Sequence, residues 1–116
     1  MESRFEQQLK KGVLEMLVLG LVCEQESYGY ALLARLEERS GGFLKLKEGT
    51  LYPILYRLED EGLITASWQA GPGRAAPKKY YQATPAGEGE LCARRQAWAA
   101  LCACVEGFEQ KGANEA

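Results

Sequence analysis

Few side chains in this sequence are suited to bond-making chemistry. Its 116 residues contain no histidine, which removes the commonest general base, the serine–histidine triad and every histidine-containing zinc site. The four cysteines, Cys23, Cys92, Cys102 and Cys104, form no C-x-x-C pair. Cys102 and Cys104 stand two apart on an expected helix and so point to different sides. With no secretion signal visible, the cysteines read as small core residues of a reduced, cytoplasmic protein. A metal- or thiol-sensing role for Cys92, Cys102 and Cys104 is the alternative. No phosphate-binding glycine loop and no nucleophile–base pair is present, so neither an enzyme nor a cofactor is expected.

What remains is the chemistry of cations and hydroxyls. The formal net charge is −2, an unpromising total for a nucleic-acid binder. Its distribution is uneven. Residues 1–70 hold 8 basic and 11 acidic side chains and residues 84–116 hold 3 and 5, whereas residues 71–83 hold Arg74, Lys78 and Lys79 with no acid. Affinity for a polyanion depends on which charges meet phosphate, not on their sum. The composition, 47% hydrophobic and 26% charged, is that of an ordinary globular chain of single-domain length. Near the N-terminus the longest charge-free run, Met16 to Cys23, is eight residues. A bilayer span needs about 20, so no membrane partner is expected.

These side chains need elements to position them. Residues 4–23 read as a helix in which Phe5, Leu9, Val13, Leu17 and Leu21 recur every four positions. Leu14, Met16 and Val18 widen that stripe beyond one face. Ser27 suits an N-cap for a second helix, Tyr28 to about Arg39, stopped by Gly41-Gly42. Phe43 to Leu46 reads as a very short strand. A third helix, about Glu48 to Glu61, turns Leu51, Ile54, Leu55 and Leu58 inward, with Pro53 in its first turns and Gly62 at its end. Ile64 to Gln69 and Lys78 to Ala83 alternate as two strands around Gly71-Pro72-Gly73. Thr84-Pro85 opens a last helix to about Gln110, and the tail from Gly112 is expected to fray. On that helix Leu91, Trp98 and Val105 are seven apart, as are Leu101 and Phe108. This is an a/d seam.

The order of elements predicts a mainly α fold with a small β-hairpin. Residues 1–83 would form a winged helix-turn-helix DNA-binding domain, and residues 84–116 a long dimerisation helix with its frayed tail. The expected DNA-binding residues are Lys47, Thr50, Tyr52, Pro53, Tyr56 and Arg57 around the third helix, and Arg74, Lys78 and Lys79 on the hairpin. Several have plainer readings. Tyr52 and Tyr56 suit an i,i+4 pair, Arg57 suits Glu61, and Lys78-Lys79 suit charges that guard an edge strand.

The segment EGTLYPILYRLEDEGLI (48–64), preceded by SYGYALLARLEE (27–38) and followed by KKYYQATPAGEGEL (78–91), resembles the PadR family of bacterial transcriptional regulators. KKGVLEMLVLGLV (10–22) extends the likeness to about residues 9–91. Two departures are visible: Ala83 stands where a larger aliphatic residue is usual, and the hairpin tip GPGRAAP is small and proline-rich.

The resemblance implies a homodimer, usually a repressor, whose last helix packs on the partner's first and last helices. It also implies aromatic or drug-like effectors at the dimer interface. The over-apolar first helix and the seam of the last both lack cover within one chain, which agrees with self-association. The expected interface and effector residues are Leu9, Val13, Leu91, Trp98, Leu101, Val105 and Phe108. Trp98 is a knob filling that interface or, paired across a two-fold axis, one wall of a slot for a planar aromatic effector. The expected partners are a palindromic double-stranded operator, a second copy of the chain and such an effector. A protein-binding winged helix with no DNA role is the remaining alternative.

Overall fold

Ser3 starts the first helix. In the computed structural model, which describes residues 2–114 with side chains as far as Glu109, the Ser3 hydroxyl accepts the Glu6 N–H at 3.1 Å. The Glu6 carboxylate in turn accepts the Ser3 N–H at 3.3 Å, completing a capping box. Helix α1 (Arg4–Glu24) buries Leu14, Val18, Leu19, Leu21 and Val22 in its C-terminal half. Phe5 and Leu9, the first two members of its apolar stripe, stay 68% and 58% exposed.

The next stretch departs from the expectation. Ser27 caps no helix. Ser27 and Tyr28 form strand β1 (Ser27–Tyr28), paired with Tyr81 and Tyr80, and helix α2 (Gly29–Arg39) starts one residue after the expected Tyr28. The Ser27 hydroxyl is buried, accepting from Arg35 Nη1 at 2.8 Å and donating to the Gln25 carbonyl at 3.3 Å. The N-cap position of α2 falls on Tyr28, which makes no side-chain cap, and the Ser27 hydroxyl is turned to Arg35 instead.

Phe43 to Leu46 is not a strand either. The alternation is real, with Leu44 buried and Leu46 half-buried while Lys45 and Lys47 face solvent. But the segment has no partner strand; the Leu44 N–H bonds the Ser40 hydroxyl at 2.7 Å instead. An in–out pattern without a ladder is an extended connection.

Helix α3 (Glu48–Asp60) buries the expected Leu51, Ile54, Leu55 and Leu58. Pro53 falls in its second turn. Strands β2 (Ile64–Gln69) and β3 (Lys78–Ala83) form the expected hairpin, in register from Ile64–Ala83 to Gln69–Lys78. With β1 they make a three-stranded antiparallel sheet in the order β1-β3-β2. The fold is mainly α with a small sheet.

Helix α4 (Pro85–Asn114) opens at Thr84, whose Oγ1 accepts the Gly87 N–H at 3.0 Å and donates to the Gly62 carbonyl at 2.7 Å. That pair of bonds ties the helix to the turn after α3. Gly87 permits the approach: a Cβ there would stand 2.0 Å from the Leu63 carbonyl oxygen. The helix continues past the expected end at Gln110 to Asn114, so the tail is helical to that point. Glu115 and Ala116 lie outside the described residues.

One core joins these elements. Leu19, Leu32, Leu51, Leu55, Leu58, Ile64 and Tyr81 are each less than 2% exposed. Leu91 belongs to the same core, against Gly20 of α1, and not to an open seam as the heptad reading had it. Heptad spacing cannot tell which turns of a helix lie on its own body. The helix touches that body as far as Arg94 and Arg95, and its thirty residues at about 1.5 Å each make a rod of roughly 45 Å. The long axis of the molecule is accordingly 66 Å.

Candidate nucleic-acid interface

At about 100° per residue, the four buried positions of α3 dictate what its other faces present. Gly49, Pro53, Tyr56 and Asp60 point outward, Thr50 and Arg57 turn toward α1, and Tyr52 and Glu59 turn toward the sheet. No side chain caps the first turn of α3. Its free N–H groups and the positive end of its dipole therefore meet solvent, an environment that favours anions. Lys47 is the exposed residue at that N-cap.

On the sheet side lies a cleft of about 580 Å³ between α3, the start of α2 and the hairpin. Tyr52 is half-buried there, so close to α2 that a Cβ on Gly29 would stand 2.3 Å from its hydroxyl. Burial, then Glu48 and Tyr56, raise its pKa above the ordinary tyrosine value. Tyr56 is exposed, with its ring centre 6.4 Å from that of Tyr52, so the i,i+4 pair is present. Beneath them Tyr81 is buried, and its hydroxyl makes no hydrogen bond among the described residues. Its pKa is pushed up to about 12, chiefly by burial and further by Tyr52, Glu59 and Tyr56.

The hairpin lysines lean on this aromatic surface. Lys78 Nζ lies 4.2 Å from the Tyr28 ring centre. Lys79 Nζ lies 5.6 Å from the Tyr81 ring centre and 5.9 Å from that of Tyr56, with the Glu59 carboxylate 4.0 Å away. Such ring contacts hold an ammonium in place without neutralising it. β3 is the middle strand, but β1 pairs only with its Tyr80 and Tyr81, so at Lys78 and Lys79 the strand is open on that side. Arg74, at the hairpin tip, is exposed and makes no ion pair among the described residues.

Arg57 does not pair with Glu61. Its guanidinium reaches across to Glu15 of α1 at 3.1 and 3.3 Å. Glu61 instead lies 3.6 Å from Arg94 of α4, which also holds Glu90 at 2.9 Å. Inter-helix packing supplied closer partners than the helix's own i+4 position. Thr50 and Pro53 are exposed. Sequence reasoning missed Tyr30 and Trp68, both 70% exposed at the rim of the cleft. Trp68 shares the face of Ile64 and Ala66, as strand alternation requires, but lies beyond the end of the core.

The cysteines are all free thiols, and Cys92 and Cys104 are exposed, which corrects their reading as core residues. Cys23 is half-buried, its thiol pKa raised by burial and Glu88 against a smaller lowering by Arg95. Among the described residues no group of three His, Cys, Asp or Glu side chains converges in a way that would hold a metal. None of the described helices is long and apolar enough to cross a membrane. Of the expected interface residues, Val13 is half-buried. Leu9, Trp98, Leu101, Val105 and Phe108 are 58%, 44%, 56%, 49% and 78% exposed.

Comparison with known proteins places this arrangement. The chain is 37% identical over 79 residues to the negative transcriptional regulator PadR of Bacillus subtilis, a match covering 68% of this chain and 43% of that protein. The crystal structure of a PadR family transcriptional regulator from Eggerthella lenta superposes with a TM-score of 0.78 at 34% identity, covering 88% of this chain and 86% of that one. The structure of Bacillus subtilis PadR in complex with operator DNA superposes at 0.63 with 36% identity, over 70% of this chain and 45% of that one. The family model described as the transcriptional regulator PadR-like family matches residues 18–93, from the buried half of α1 to the first turns of α4. This chain therefore belongs to the PadR-like family of transcriptional regulators.

Proposed function

We propose that the chain is a homodimeric, operator-binding repressor. In this reading α3 enters the major groove, the β2–β3 hairpin rests on the neighbouring backbone, and two copies read a palindrome with half-sites roughly 34 Å apart. The observation that carries it is the solvent-facing side of α3. Thr50, Pro53 and Tyr56 stand uncovered on a helix whose N-terminus has no side-chain cap, and Lys79 of the hairpin lies beside Tyr56. Bacillus subtilis PadR, bound to operator DNA in its crystal structure, supports the same use here; its description as a negative regulator supports repression.

Self-association is supported by two uncovered apolar stripes, Phe5 and Leu9 on α1 and Trp98, Leu101, Val105 and Phe108 on α4. Exposed apolar surface of this extent marks an interaction site. An aromatic effector between the Trp98 rings of two subunits would relieve repression by favouring a spacing of the DNA-binding heads that does not fit the operator.

Selection of bound oligonucleotides from a random pool tests the reading. Recovery of a palindrome is expected; no enrichment at low salt overturns it. With Lys78 and Lys79 both replaced by alanine, the slope of log affinity against log salt is expected to flatten by about 0.9 for each phosphate contact removed. An unchanged slope removes the hairpin from the interface.

A further inference from the structure

The α1-facing side of α3 carries a second cationic surface that charge counting along the chain concealed. A groove of about 820 Å³ runs between the first turns of α1, the extended connection 43–47 and α3. Arg4, Lys10, Lys11, Lys45, Lys47 and Arg57 line it, with Glu2 the one acidic residue among the lining. Six of the fourteen lysines and arginines of a chain with net charge −2 therefore face one groove. Two are already engaged: Lys10 pairs with Glu2 and lies 4.7 Å from the Phe43 ring centre, and Arg57 pairs with Glu15. Arg4, Lys11, Lys45 and Lys47 have no acidic partner within 4.0 Å among the described residues, and all four are exposed. Like charges crowded in this way repel one another and raise the local potential, which a polyanion would relieve.

We infer that this groove is a second phosphate-binding surface, taking the sugar–phosphate backbone of duplex DNA on the side of α3 away from the hairpin. The inference rests on the DNA-binding reading above and extends its footprint. Three features of the structure carry it. Thr50 and Arg57 of α3 line the groove, so it is continuous with the exposed face of that helix. Leu44 and Leu46 anchor the connection in the core and leave Lys45 and Lys47 outward, so these cations are held on a fixed backbone. And on α1 the groove residues Arg4, Gln7, Lys10 and Lys11 lie about half a helical turn from Phe5 and Leu9. A partner subunit covering the apolar stripe would leave the groove open.

The test compares salt dependence of binding to random-sequence duplex DNA for three proteins: the unaltered chain, an Arg4→Ala/Lys11→Ala/Lys45→Ala variant and a Lys78→Ala/Lys79→Ala variant. The groove variant is expected to flatten the log–log slope by about 2.7 per subunit, roughly 0.9 for each of three phosphates. It is also expected to lose hydroxyl-radical protection on the hairpin-distal backbone of the selected duplex. An unchanged slope and footprint in that variant, with a flatter slope in the hairpin variant, overturns the groove and leaves the hairpin reading standing. No binding by the unaltered chain at low salt overturns both. If the triple variant melts early, the single exposed changes Lys11→Gln and Lys45→Gln read the same slope, by about 0.9 each.

Discussion

Tyr81 is the residue at which burial and polarity are most at odds. It fills the centre of the sheet face, yet its hydroxyl has no hydrogen bond among the described residues. Removing an unsatisfied buried polar group while keeping the ring costs no packing, so Tyr81→Phe is expected to stabilise the fold by about 1 kcal/mol, read by urea denaturation. The same site sets an alkaline limit. Its folded pKa, raised to about 12 from 10, means that the folded state holds the proton more tightly than the unfolded chain. This contribution is fully present below pH 10 and fades as pH rises from 10 toward 12. The denaturation midpoint is expected to drop across that window in the unaltered protein and to drop less in Tyr81→Phe.

Gly87 is the opposite case, a residue whose missing side chain is its function. A methyl group there meets the Leu63 carbonyl oxygen, a backbone atom that cannot swing away. Gly87→Ala is expected to cost about 2–3 kcal/mol by thermal denaturation despite its better helix propensity. A stability gain would show that α4 can shift on the body.

At the scale of elements, α3 was the most legible part of the chain. The spacing of Leu51, Ile54, Leu55 and Leu58 sets its inner face and thereby its outer one. Burial separates the two tyrosines of that helix: Tyr52 packs on Gly29, whereas Tyr56 is exposed. Tyr56→Ala is therefore expected to weaken binding to the selected duplex about tenfold with an unchanged melting temperature, a loss of about 1.4 kcal/mol. Tyr52→Ala is expected to lower stability as well. Equal binding by Tyr56→Ala and the unaltered chain would remove that ring from the interface.

Short elements were harder to read. Ser27 has the chemistry of an N-cap, and Phe43 to Leu46 has the alternation of a strand. Which one pairs depends on where β3 lies, and β3 is more than thirty residues further along the chain. Ser27 and Tyr28 reach it and become a strand. The 43–47 connection does not, and its alternation serves instead to anchor two leucines and expose two lysines.

At the scale of the molecule, α4 changes role along its length. Its first turns belong to the core through Leu91, and its later turns carry an uncovered row from Trp98 to Phe108. If that row is the joint between subunits, Leu101→Glu with Val105→Glu is expected to convert a dimer to a monomer in sedimentation at micromolar concentration. The paired heads would separate with it, and palindrome affinity is expected to fall by more than tenfold while each head keeps its fold. A monomer in the unaltered protein would refute the joint.

Local order along the chain was enough to determine the winged architecture. Helix periodicity, strand alternation and the Thr84-Pro85 start are properties of neighbouring residues, and the match over 18–93 agrees with them. The hairpin cations were legible for the same reason, since Arg74, Lys78 and Lys79 are close in sequence. The groove beside α1 was not. Its cations come from three separate segments, each diluted by nearby acids, and only packing α1 against the 43–47 connection and α3 gathers six cations around one groove with Glu2 as the acid in its lining. Folding also decided that Leu91 is core, that Arg57 meets Glu15, and that β3 is a central strand. Each is a contact between residues far apart in the chain, where spacing carries no information and three-dimensional proximity carries all of it.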